Sequence, residues 1–210
     1  MIGGMSGLTG RLLVASPRLV DGNFRRSVVL LLDHGDDGAL GVVVNRPLEV
    51  DVSAVLPAWQ PYATTPGRLF RGGPVALDSA LGVVAVPGDD EEPVGVRRIL
   101  GSLGLVDLDT PPEVVAGGVA GLRIFAGYAG WSKGQLEDEI AEGAWYVVDA
   151  EARDAFSDDP DALWRQVLRR QRGDLAFVST YPDDLWRQVL RRQRGDLAFV
   201  STYPDDPELN

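Results

Sequence analysis

The pattern of apolar and polar positions predicts a chain built mainly of β-strands, with a few short helices. Apolar runs of strand length occupy 10–15, 27–33 and 39–45, and a shorter run occupies 67–71. The runs 27–33 and 39–45 are apolar at odd and even positions alike, which is typical of strands covered on both faces. A short glycine-bearing loop over 34–38 separates them, so we predict a hairpin at the centre of the sheet.

The stretch 123–150 combines strands, a turn and a helix in a short length of chain. An apolar run over 122–126 predicts a strand, and the sequence GYAGW at 127–131 is interpreted as the turn that closes it. Ser132 stands three residues before Gln135, which is the spacing of a capping box. We therefore predict that a helix begins at Ser132.

The helix predicted over 132–142 has a buried stripe and a defined end. Leu136 and Ile140 are four residues apart and mark the apolar side of the helix. Gly143 follows as a residue that can adopt positive φ, and the apolar run 144–148 predicts a returning strand. The whole stretch is therefore predicted to be a strand–helix–strand unit.

Four other segments have weaker patterns. The run 81–86 predicts a strand, the proline-rich segment 57–66 predicts a loop, and 94–105 is interpreted as a strand plus a turn. Thr110 lies three residues before Glu113, with prolines between them, which predicts a second capping box and a short helix.

The C-terminal part contains one segment twice. Residues 163–184 and 185–206 both read LWRQVLRRQRGDLAFVSTYPDD. Perfect identity favours a very recent duplication or an artefact of cloning or assembly over a functional repeat, because two copies cannot form a self-burying stack. We expect the first copy to occupy the structural position. The predicted division is a single domain over 1–184, followed by the second copy and a tail over 185–210.

Each copy of the repeated segment predicts a helix followed by a strand. In the first copy, Asp159 and Pro160 open the helix and Gly173 ends it. The apolar stripe of the helix consists of Leu163, Trp164, Val167 and Leu168. Residues 175–179 are then interpreted as a strand.

Composition excludes several classes of chemistry. At 210 residues, with 45% hydrophobic residues, the chain is long enough for one domain with a substantial core. The absence of cysteine excludes disulfides, thiolate metal sites and a cysteine nucleophile. No apolar run reaches membrane-spanning length, and the N-terminus lacks the features of a secretory signal, so we expect a cytoplasmic protein with no membrane contact.

The charge balance disfavours nucleic-acid binding. The net charge is −11, from 20 basic and 31 acidic residues, and such a chain repels phosphate backbones over most of its surface. The predicted C-terminal helix is rich in arginine, but acidic residues in the same segment nearly balance that charge. A solvated amphipathic face explains the arginines better than a nucleic-acid site does.

No catalytic or metal-binding motif stands out. His34 is the single histidine, no GxSxG or GxGxxG motif is present, and we expect no cofactor and no metal. The acidic residues at the start of the helix that follows Gln135 are explained by the helix dipole. If the protein were a hydrolase, His34 with Ser16 or Ser27 would be the residues to test.

Several motifs agree in order with those of a known family. They are GRLLVASPRLVDGNFRRSVVLLLDH, GALGVVVNRP, RGGPV and GYAGW followed by GQLE, and they extend over nearly the whole chain. In these motifs and their order, the chain resembles the YqgE/AlgH family of bacterial proteins. The resemblance implies an α+β fold with a mainly antiparallel curled sheet, a pseudo-barrel, and short helices packed on it. The family carries a transcriptional-regulator label that comes from genetics, and it implies no defined chemistry.

The motifs at strand ends and turns supply the candidate ligand site, because sites usually lie at such positions. The candidates are Asp21, Asn23, Asn45, Arg46, Gly72, Gly73, Trp131, Gln135 and Glu137. We predict that amide, guanidinium and aromatic groups of this set converge on a cleft, where Arg46 binds a carboxylate or phosphate. The competing interpretation is that these residues only form turns and caps, and that Gly72 and Gly73 make a tight turn.

Two function hypotheses remain. The first is a non-enzymatic binding or regulatory protein whose partner is a small ligand or another protein. The second is a hydrolase or transferase that uses carboxylate or serine chemistry in the same turn-lined pocket. The missing nucleophile–base motifs favour the first.

Overall fold

Ten β-strands form one mainly antiparallel sheet in the computed structural model, which describes residues 7–88, 92–171 and 173–180. The strands are β1 (Leu12–Ala15), β2 (Val28–Gly35), β3 (Gly38–Val43), β4 (Pro47–Asp51), β5 (Arg68–Arg71), β6 (Val75–Ala85), β7 (Val96–Leu100), β8 (Leu103–Val106), β9 (Gly121–Ser132) and β10 (Trp145–Val148). The helices are α1 (Pro112–Val115), α2 (Gln135–Ala141), α3 (Pro160–Arg169) and α4 (Asp174–Val178), with 3₁₀ turns at Val52–Ala54, Pro57–Tyr62, Ala116–Gly118 and Ala152–Phe156.

The sheet curls into a half-barrel with the short helices packed on it, so the α+β fold implied by the resemblance is confirmed. Its main path runs β10-β1-β2-β3-β9-β6-β8-β7, while β5 pairs in parallel with β9 and β4 pairs with β5. The predicted β2–β3 hairpin is present at the centre of one half. Strand β9 is long enough to pair with β3 at one end and with β5 and β6 at the other, so it joins the two halves.

Successive side chains of the central strands point to opposite faces of the sheet, which creates two separate apolar layers. Leu12 and Leu30 belong to the cluster that α3 covers, whereas Leu13 and Val29 belong to a cluster on the opposite face under α2. A third cluster, around Trp59, lies beneath α1 and the 3₁₀ turns Val52–Ala54 and Pro57–Tyr62. Covering on both faces is the reason that β2 and β3 lack polar positions through most of their length.

The turn predicted at 127–131 is wrong, because β9 continues through it. Ala39 of β3 pairs with Trp131, and Gly41 pairs with Ala129, so the second half of β9 has its own strand partner. Gly127, whose φ is +68°, separates this segment from residues 121–126, which pair with β5 and with most of β6. The glycine thus redirects a continuing strand instead of ending it.

The capping box predicted at Ser132 is only half present. Helix α2 begins at Gln135, and Gly134 precedes it with a φ of +78°. The Gln135 Oε1 atom accepts the Ser132 backbone N–H at 3.0 Å, but the Ser132 hydroxyl donates to that same oxygen instead of capping the helix. The other features are confirmed, since Leu136 is buried and Gly143 has a φ of +78°.

Three more segments differ from the sequence-based expectation. Residues Pro57–Tyr62, predicted as a loop, form a 3₁₀ helix, and 94–105 forms the hairpin of β7 and β8. The capping box predicted at Thr110 is wrong. Pro111 takes the N-cap position of α1 with extended backbone angles, and it has no side chain that can cap.

The helix predicted in the first repeated segment is confirmed as α3. The Asp159 carboxylate accepts the Ala162 N–H at 3.2 Å, and the Trp164 indole donates to the Ala15 carbonyl at 2.9 Å. The strand predicted over 175–179 is wrong, since this segment forms α4. Leu175 and Val178 are spaced by three residues and both pack on the core, a spacing that fits a helix. The second copy lies outside the described residues, so the domain division stays a prediction.

Candidate functional site

The loop 21–26 lies between the two groups into which the candidate residues fall. On one side, Asn45 and Arg46 bind the carbonyl groups of the loop. On the other side, Phe24 packs its ring against Trp131 and Trp145, with centroid distances of 6.2 and 5.6 Å. We call the first side the arginine groove and the second the indole cluster, which consists of Phe24, Trp131, Gln135, Glu139 and Trp145.

Asp21 and Asn45 shape the loop through backbone contacts. The Asp21 carboxylate accepts the Asn23 N–H at 2.8 Å, and the Asp21 carbonyl accepts the N–H of Phe24. The Asn45 side chain accepts the Val28 N–H and donates to the Arg26 carbonyl, both at 2.9 Å. Asn45 therefore lines the groove, Asp21 shapes the loop beside it, and Asn23 is exposed on the same loop.

Arg46 is the candidate residue with the clearest electrostatic signature. Its Nη2 donates to the Arg25 carbonyl at 2.8 Å, and its Nη1 donates to the Gly22 carbonyl at 3.3 Å. Partial burial lowers the pKa of Arg46, the nearby charge of Arg71 lowers it further, and Asp21 acts in the opposite direction. The guanidinium is thus fixed in a position where it is partly desolvated and repelled by a second cation.

The arginine groove is an open depression with a volume of about 780 Å³. It is lined by Gly22, Arg25, Arg26, Asn45, Arg46, Pro47, Glu49 and Asp161. Glu49 pairs with Arg68 at 3.1 Å, which partly neutralises one of the two acidic groups in the lining. The volume falls in the range of small-molecule sites, although the lining is more polar than usual.

Gly72 and Gly73 lie in close contact with the backbone of β9. Gly72 donates its N–H to the Ala126 carbonyl at 2.9 Å, and its own carbonyl accepts the Val43 N–H at 2.8 Å. A Cβ at Gly72 would lie 2.2 Å from the Gly127 carbonyl oxygen, and one at Gly73 would lie 2.2 Å from the backbone of Tyr128. Both glycines are therefore required where β5 and its continuation cross close to β9.

Trp131 and Gln135 lie in the indole cluster and not in the lining of the groove. Trp131 and Trp145 both donate their indole N–H to Glu139 Oε2, at 2.9 and 2.8 Å. Gln135 donates to the other oxygen of the same carboxylate at 3.0 Å. Glu139 thus holds α2 against the ends of β9 and β10, and we assign a structural role to Trp131 and Gln135.

We expect Glu139→Gln to lower the free energy of unfolding by about 2 kcal/mol. The new amide must present its NH₂ group either to the two indole donors or to the Gln135 donor, so donors face each other in both orientations. Urea unfolding followed by tryptophan fluorescence measures the loss. The matched control is Glu142→Gln, at an exposed position that follows α2, and its effect should stay below about 0.5 kcal/mol. Equal stabilities for the two variants would contradict the assigned role.

Glu137 pairs with His34, a contact that sequence reasoning did not predict. The His34 Nε2 and Glu137 Oε1 atoms are 2.9 Å apart, and the histidine side chain is only 2% exposed. The His34 Nδ1 atom is buried and has no hydrogen-bond partner within the described part of the chain. His34 and Glu137 are 103 positions apart in the sequence, so no local pattern could predict their contact. The fold brings them together by placing the β2–β3 hairpin beside α2.

The serine residues considered for a hydrolase do not approach His34. Ser27 directly precedes β2 and His34 lies near its end, which places them about 23 Å apart along the strand. The Ser16 hydroxyl accepts the Arg18 N–H at 3.3 Å, next to the end of β1 that pairs with the start of β2. Neither serine forms a dyad with this histidine.

Two further properties bear on the kind of site. Within the described ranges, no set of three or more His, Asp or Glu side chains is arranged to hold a metal ion. None of the helices in this same part of the structure is long and apolar enough to cross a membrane.

Comparison with known proteins places the chain in a family. Residues 12–176 match the family model described as AlgH-like. A UPF0301 protein of Streptomyces coelicolor is 62% identical over 180 residues, which cover 84% of this chain and 93% of that protein. A UPF0301 protein of Thermobifida fusca is 50% identical over 183 residues, with coverages of 83% and 92%.

Two solved structures have the same fold. The crystal structure of a Corynebacterium diphtheriae protein matches with a TM-score of 0.79 and 34% identity, covering 82% of this chain and 92% of that one. The solution structure of the AlgH protein from Pseudomonas aeruginosa matches with a TM-score of 0.63 and 26% identity, covering 87% and 98%. The matched segment contains the half-barrel, the arginine groove and the indole cluster, and by this family match and these identities the chain belongs to the AlgH-like family.

Proposed function

We propose that this protein is a non-enzymatic binding or regulatory protein that takes an anionic ligand, a carboxylate or a phosphate, in the arginine groove. The observation that supports the proposal is the position of Arg46, partly buried in a groove that Arg25 and Arg26 also line. The whole chain has a net charge of −11, so a cluster of guanidinium groups is a local exception. Such an exception concentrates anions at one place on an otherwise repelling surface.

The electrostatics of Arg46 favour an anion over a neutral ligand. Burial and the neighbouring Arg71 both disfavour its charged form, and each effect is offset when a negative group arrives. The two contacts with loop carbonyls fix the orientation of the guanidinium plane before any ligand binds. A planar, fixed guanidinium suits the paired oxygens of a carboxylate or phosphate, because the Arg46 side chain then loses little further conformational entropy when the ligand binds.

The test is a thermal-shift screen of the full chain, followed by calorimetry on any hit. The panel contains inorganic phosphate, nucleotides, mono- and dicarboxylates and short DNA. A ligand present at 100 times its dissociation constant stabilises the folded state by about 2.7 kcal/mol, which is readily measured. A panel without any anionic hit would contradict the proposal and would direct the search to a protein partner.

We expect Arg46→Ala to weaken binding of the anion at least about tenfold, since a charge-assisted hydrogen bond contributes about 1.5–3 kcal/mol. Arg71→Ala should weaken it less, about threefold, because Arg71 acts on the groove through its charge. Within the described residues, the Arg71 side chain makes no hydrogen bond to the loop, so Arg71→Ala also separates an effect on binding from an effect on folding. Calorimetric titrations provide the dissociation constants.

The matched control is Arg97→Ala, which removes the same charge from an exposed position on β7. This variant should bind the anion as tightly as the unmodified chain. Equal weakening by Arg71→Ala and Arg97→Ala would show a dependence on net charge alone, and it would contradict a site at the groove.

The enzymatic alternative has one supporting observation, the buried contact between His34 and Glu137. A hydrolase or transferase that uses this pair would lose turnover in Glu137→Gln. We favour the binding function because neither Ser16 nor Ser27 forms a nucleophile–base pair with His34. A turnover that disappears in Glu137→Gln would reverse that preference.

Regulation by direct DNA binding is the least supported form of the proposal. The net charge disfavours it, and the exposed arginine Arg165 shares α3 with the acidic Asp161. A gel-shift assay at low salt separates the cases, since retardation would favour DNA as the anion. We also propose that this binding takes place in the cytoplasm.

A further inference from the structure

The arginine groove is lined by residues of both charge signs. The positive residues are Arg25 and Arg26 on the loop 21–26 and Arg46 in the turn before β4. The negative residues are Glu49 on β4 and Asp161 in the first turn of α3. Three guanidinium groups and two carboxylates therefore belong to the lining of one depression. A ligand that carries negative charge alone complements only part of this lining.

A contact between the loop and α3 brings the two charge signs together. The Arg26 guanidinium lies over the Trp164 ring, 5.2 Å from its centroid. The Trp164 indole is itself held on the sheet by its hydrogen bond to the Ala15 carbonyl at 2.9 Å. Trp164 and Asp161 are three positions apart on α3, and residues at this spacing are neighbours on a helix surface. The cationic loop thus contacts α3 within one turn of the acidic residue.

The two carboxylates of the lining differ in their other contacts. Glu49 Oε1 pairs with Arg68 Nη1 at 3.1 Å, so the charge of Glu49 is already partly balanced. Asp161 is exposed, and it is not needed as a helix cap, because the Asp159 carboxylate accepts the Ala162 N–H at 3.2 Å. Asp161 is therefore the better placed of the two carboxylates to hold a positive group of a ligand.

The mixed lining selects among the anions that an arginine cluster attracts. The carboxylates of Glu49 and Asp161 repel a phosphate dianion about twice as strongly as they repel a single carboxylate at the same distance. An ammonium group on the ligand turns the repulsion from Asp161 into attraction. The groove volume of about 780 Å³ accommodates a molecule in which several bonds separate the two charges.

We propose that the ligand of the arginine groove is an amino-carboxylate, whose carboxylate binds Arg46 and whose ammonium group binds Asp161. This inference rests on the function proposed above and narrows its ligand class. Such a ligand has no net charge, so the groove recognises the separation of two charges within one molecule. That property differs from the general attraction of anions, which any cluster of arginines produces.

The experiment uses the full chain and two matched pairs of probes. The pairs are 6-aminohexanoate with hexanoate and 4-aminobutyrate with butyrate, and inorganic phosphate is the fifth probe. Two-dimensional ¹H–¹⁵N NMR titrations follow the backbone signals of Gly22 and Arg25 and the side-chain amide of Asn45, all in the lining of the groove. In at least one pair, we expect the amino acid to bind about threefold more tightly than its match, as one exposed ion pair allows.

Asp161→Asn should affect the two members of that pair in opposite directions. The amino acid should bind about threefold more weakly, because its ammonium group loses the ion pair. The plain acid should bind with equal or slightly higher affinity, because a like charge is removed. The variant should fold normally, since Asp161 is exposed and Asp159 still caps α3.

Asp138→Asn is the matched control. It makes the same change at an exposed position in the first turn of α2, and Asp138 does not belong to the lining of the groove. Both members of the pair should bind this variant as tightly as they bind the unmodified chain. Equal weakening of the amino acid by Asp161→Asn and Asp138→Asn would show an effect of net charge and would overturn the role of Asp161.

The remaining outcomes separate this inference from the function on which it rests. If the plain acids or phosphate bind in the groove and the ammonium group adds nothing in either pair, the amino-carboxylate is overturned, while an anion site at the groove stands. A preference for the amino acid that persists in Asp161→Asn would also overturn the inference, because the ammonium group then binds elsewhere. If none of the five probes shifts the groove signals saturably, the anion site is contradicted together with the inference.

Discussion

The Gly73→Ala variant should lose more than about 3 kcal/mol of its free energy of unfolding, above the usual range for overpacking. A Cβ at this position would lie 2.2 Å from the carbonyl carbon and oxygen of Tyr128 and 2.3 Å from the Ala129 nitrogen. All three atoms belong to the backbone of β9, which pairs with β3 here and cannot move aside as a flexible side chain would. The strand must therefore shift as a unit, and its hydrogen bonds must lengthen.

Urea unfolding of Gly73→Ala measures the loss, with tryptophan fluorescence and circular dichroism as two probes of one transition. Gly117→Ala is the control, because a Cβ at Gly117 meets nothing within 4 Å and should change stability by less than about 0.5 kcal/mol. If the two alanine variants were equally stable, Gly73 would not be a packing position. The interpretation of the pair 72–73 as part of a ligand site would then regain support.

The local pattern of apolar residues was sufficient to predict the elements in which that pattern and the signals at the element's ends agree. The apolar runs before and after 34–38 predicted the β2–β3 hairpin, because a strand covered on both faces needs apolar residues at every position. Asp159, Pro160 and the four-residue stripe that begins at Leu163 predicted α3, because a helix with one buried face needs apolar residues at helical spacing. In both cases, side-chain periodicity and end signals agreed.

The wrong predictions occurred where distant contacts decide the conformation. The sequence GYAGW has the glycines of a turn, but β3 pairs with it and keeps it extended as part of β9. The segment 175–179 has strand-forming residues, yet Leu175 and Val178 pack side by side on the core and α4 results. Thr110 had the spacing of a cap, but the backbone of Pro111 takes that position. The intrinsic helix or strand propensity of the residues is a weak guide to secondary structure where tertiary contacts decide the conformation.

The candidate site residues show the same difference between local signals and distant contacts. Turn chemistry drew attention to Asn45 and Arg46, which both line the arginine groove because they lie in the turn shortly after β3. Trp131 and Gln135 were placed with them on local grounds, whereas Glu139 draws both into the indole cluster. Asp161 lines the same groove as Arg46 from a distant part of the sequence, so no local spacing indicates it.

Arg170→Ala should lower the free energy of unfolding by about 3–5 kcal/mol, because it leaves the buried Asp154 carboxylate without its cationic partner and with only the Glu151 backbone N–H as a donor. The two Arg170 Nη atoms donate to the Asp154 carboxylate at 2.5 and 2.6 Å, and Arg170 Nη2 also donates to the Asp149 carbonyl at 3.0 Å. Asp154 is only 3% exposed, so water cannot replace the lost donors. The pair ties α3 to the 3₁₀ turn Ala152–Phe156, and its loss should loosen both.

The pH dependence of this effect follows from the direction of the shift. The hydrogen bond with Asp154 raises the pKa of Arg170 above its ordinary value. A group with a raised pKa contributes its full stability at every pH below the unfolded value, and the contribution is lost only above it. The difference between Arg170→Ala and the unmodified chain should therefore be the same at pH 7 and pH 9, as measured by urea unfolding.

The repeated segment supplies an unusually close control, because Arg192 occupies the position in the second copy that Arg170 has in the first. If the first copy alone provides α3, Arg192→Ala should change stability by less than about 0.5 kcal/mol, in contrast to Arg170→Ala. A small effect of Arg170→Ala, with a large one appearing only when both arginines are replaced, would show that the second copy substitutes for the first. In the double variant Asp154→Ala/Arg170→Ala, the loss should be smaller than the sum of the two single losses. Once both charges are absent, neither is left buried and unpaired, so the cycle measures the coupling that holds α3 on the half-barrel.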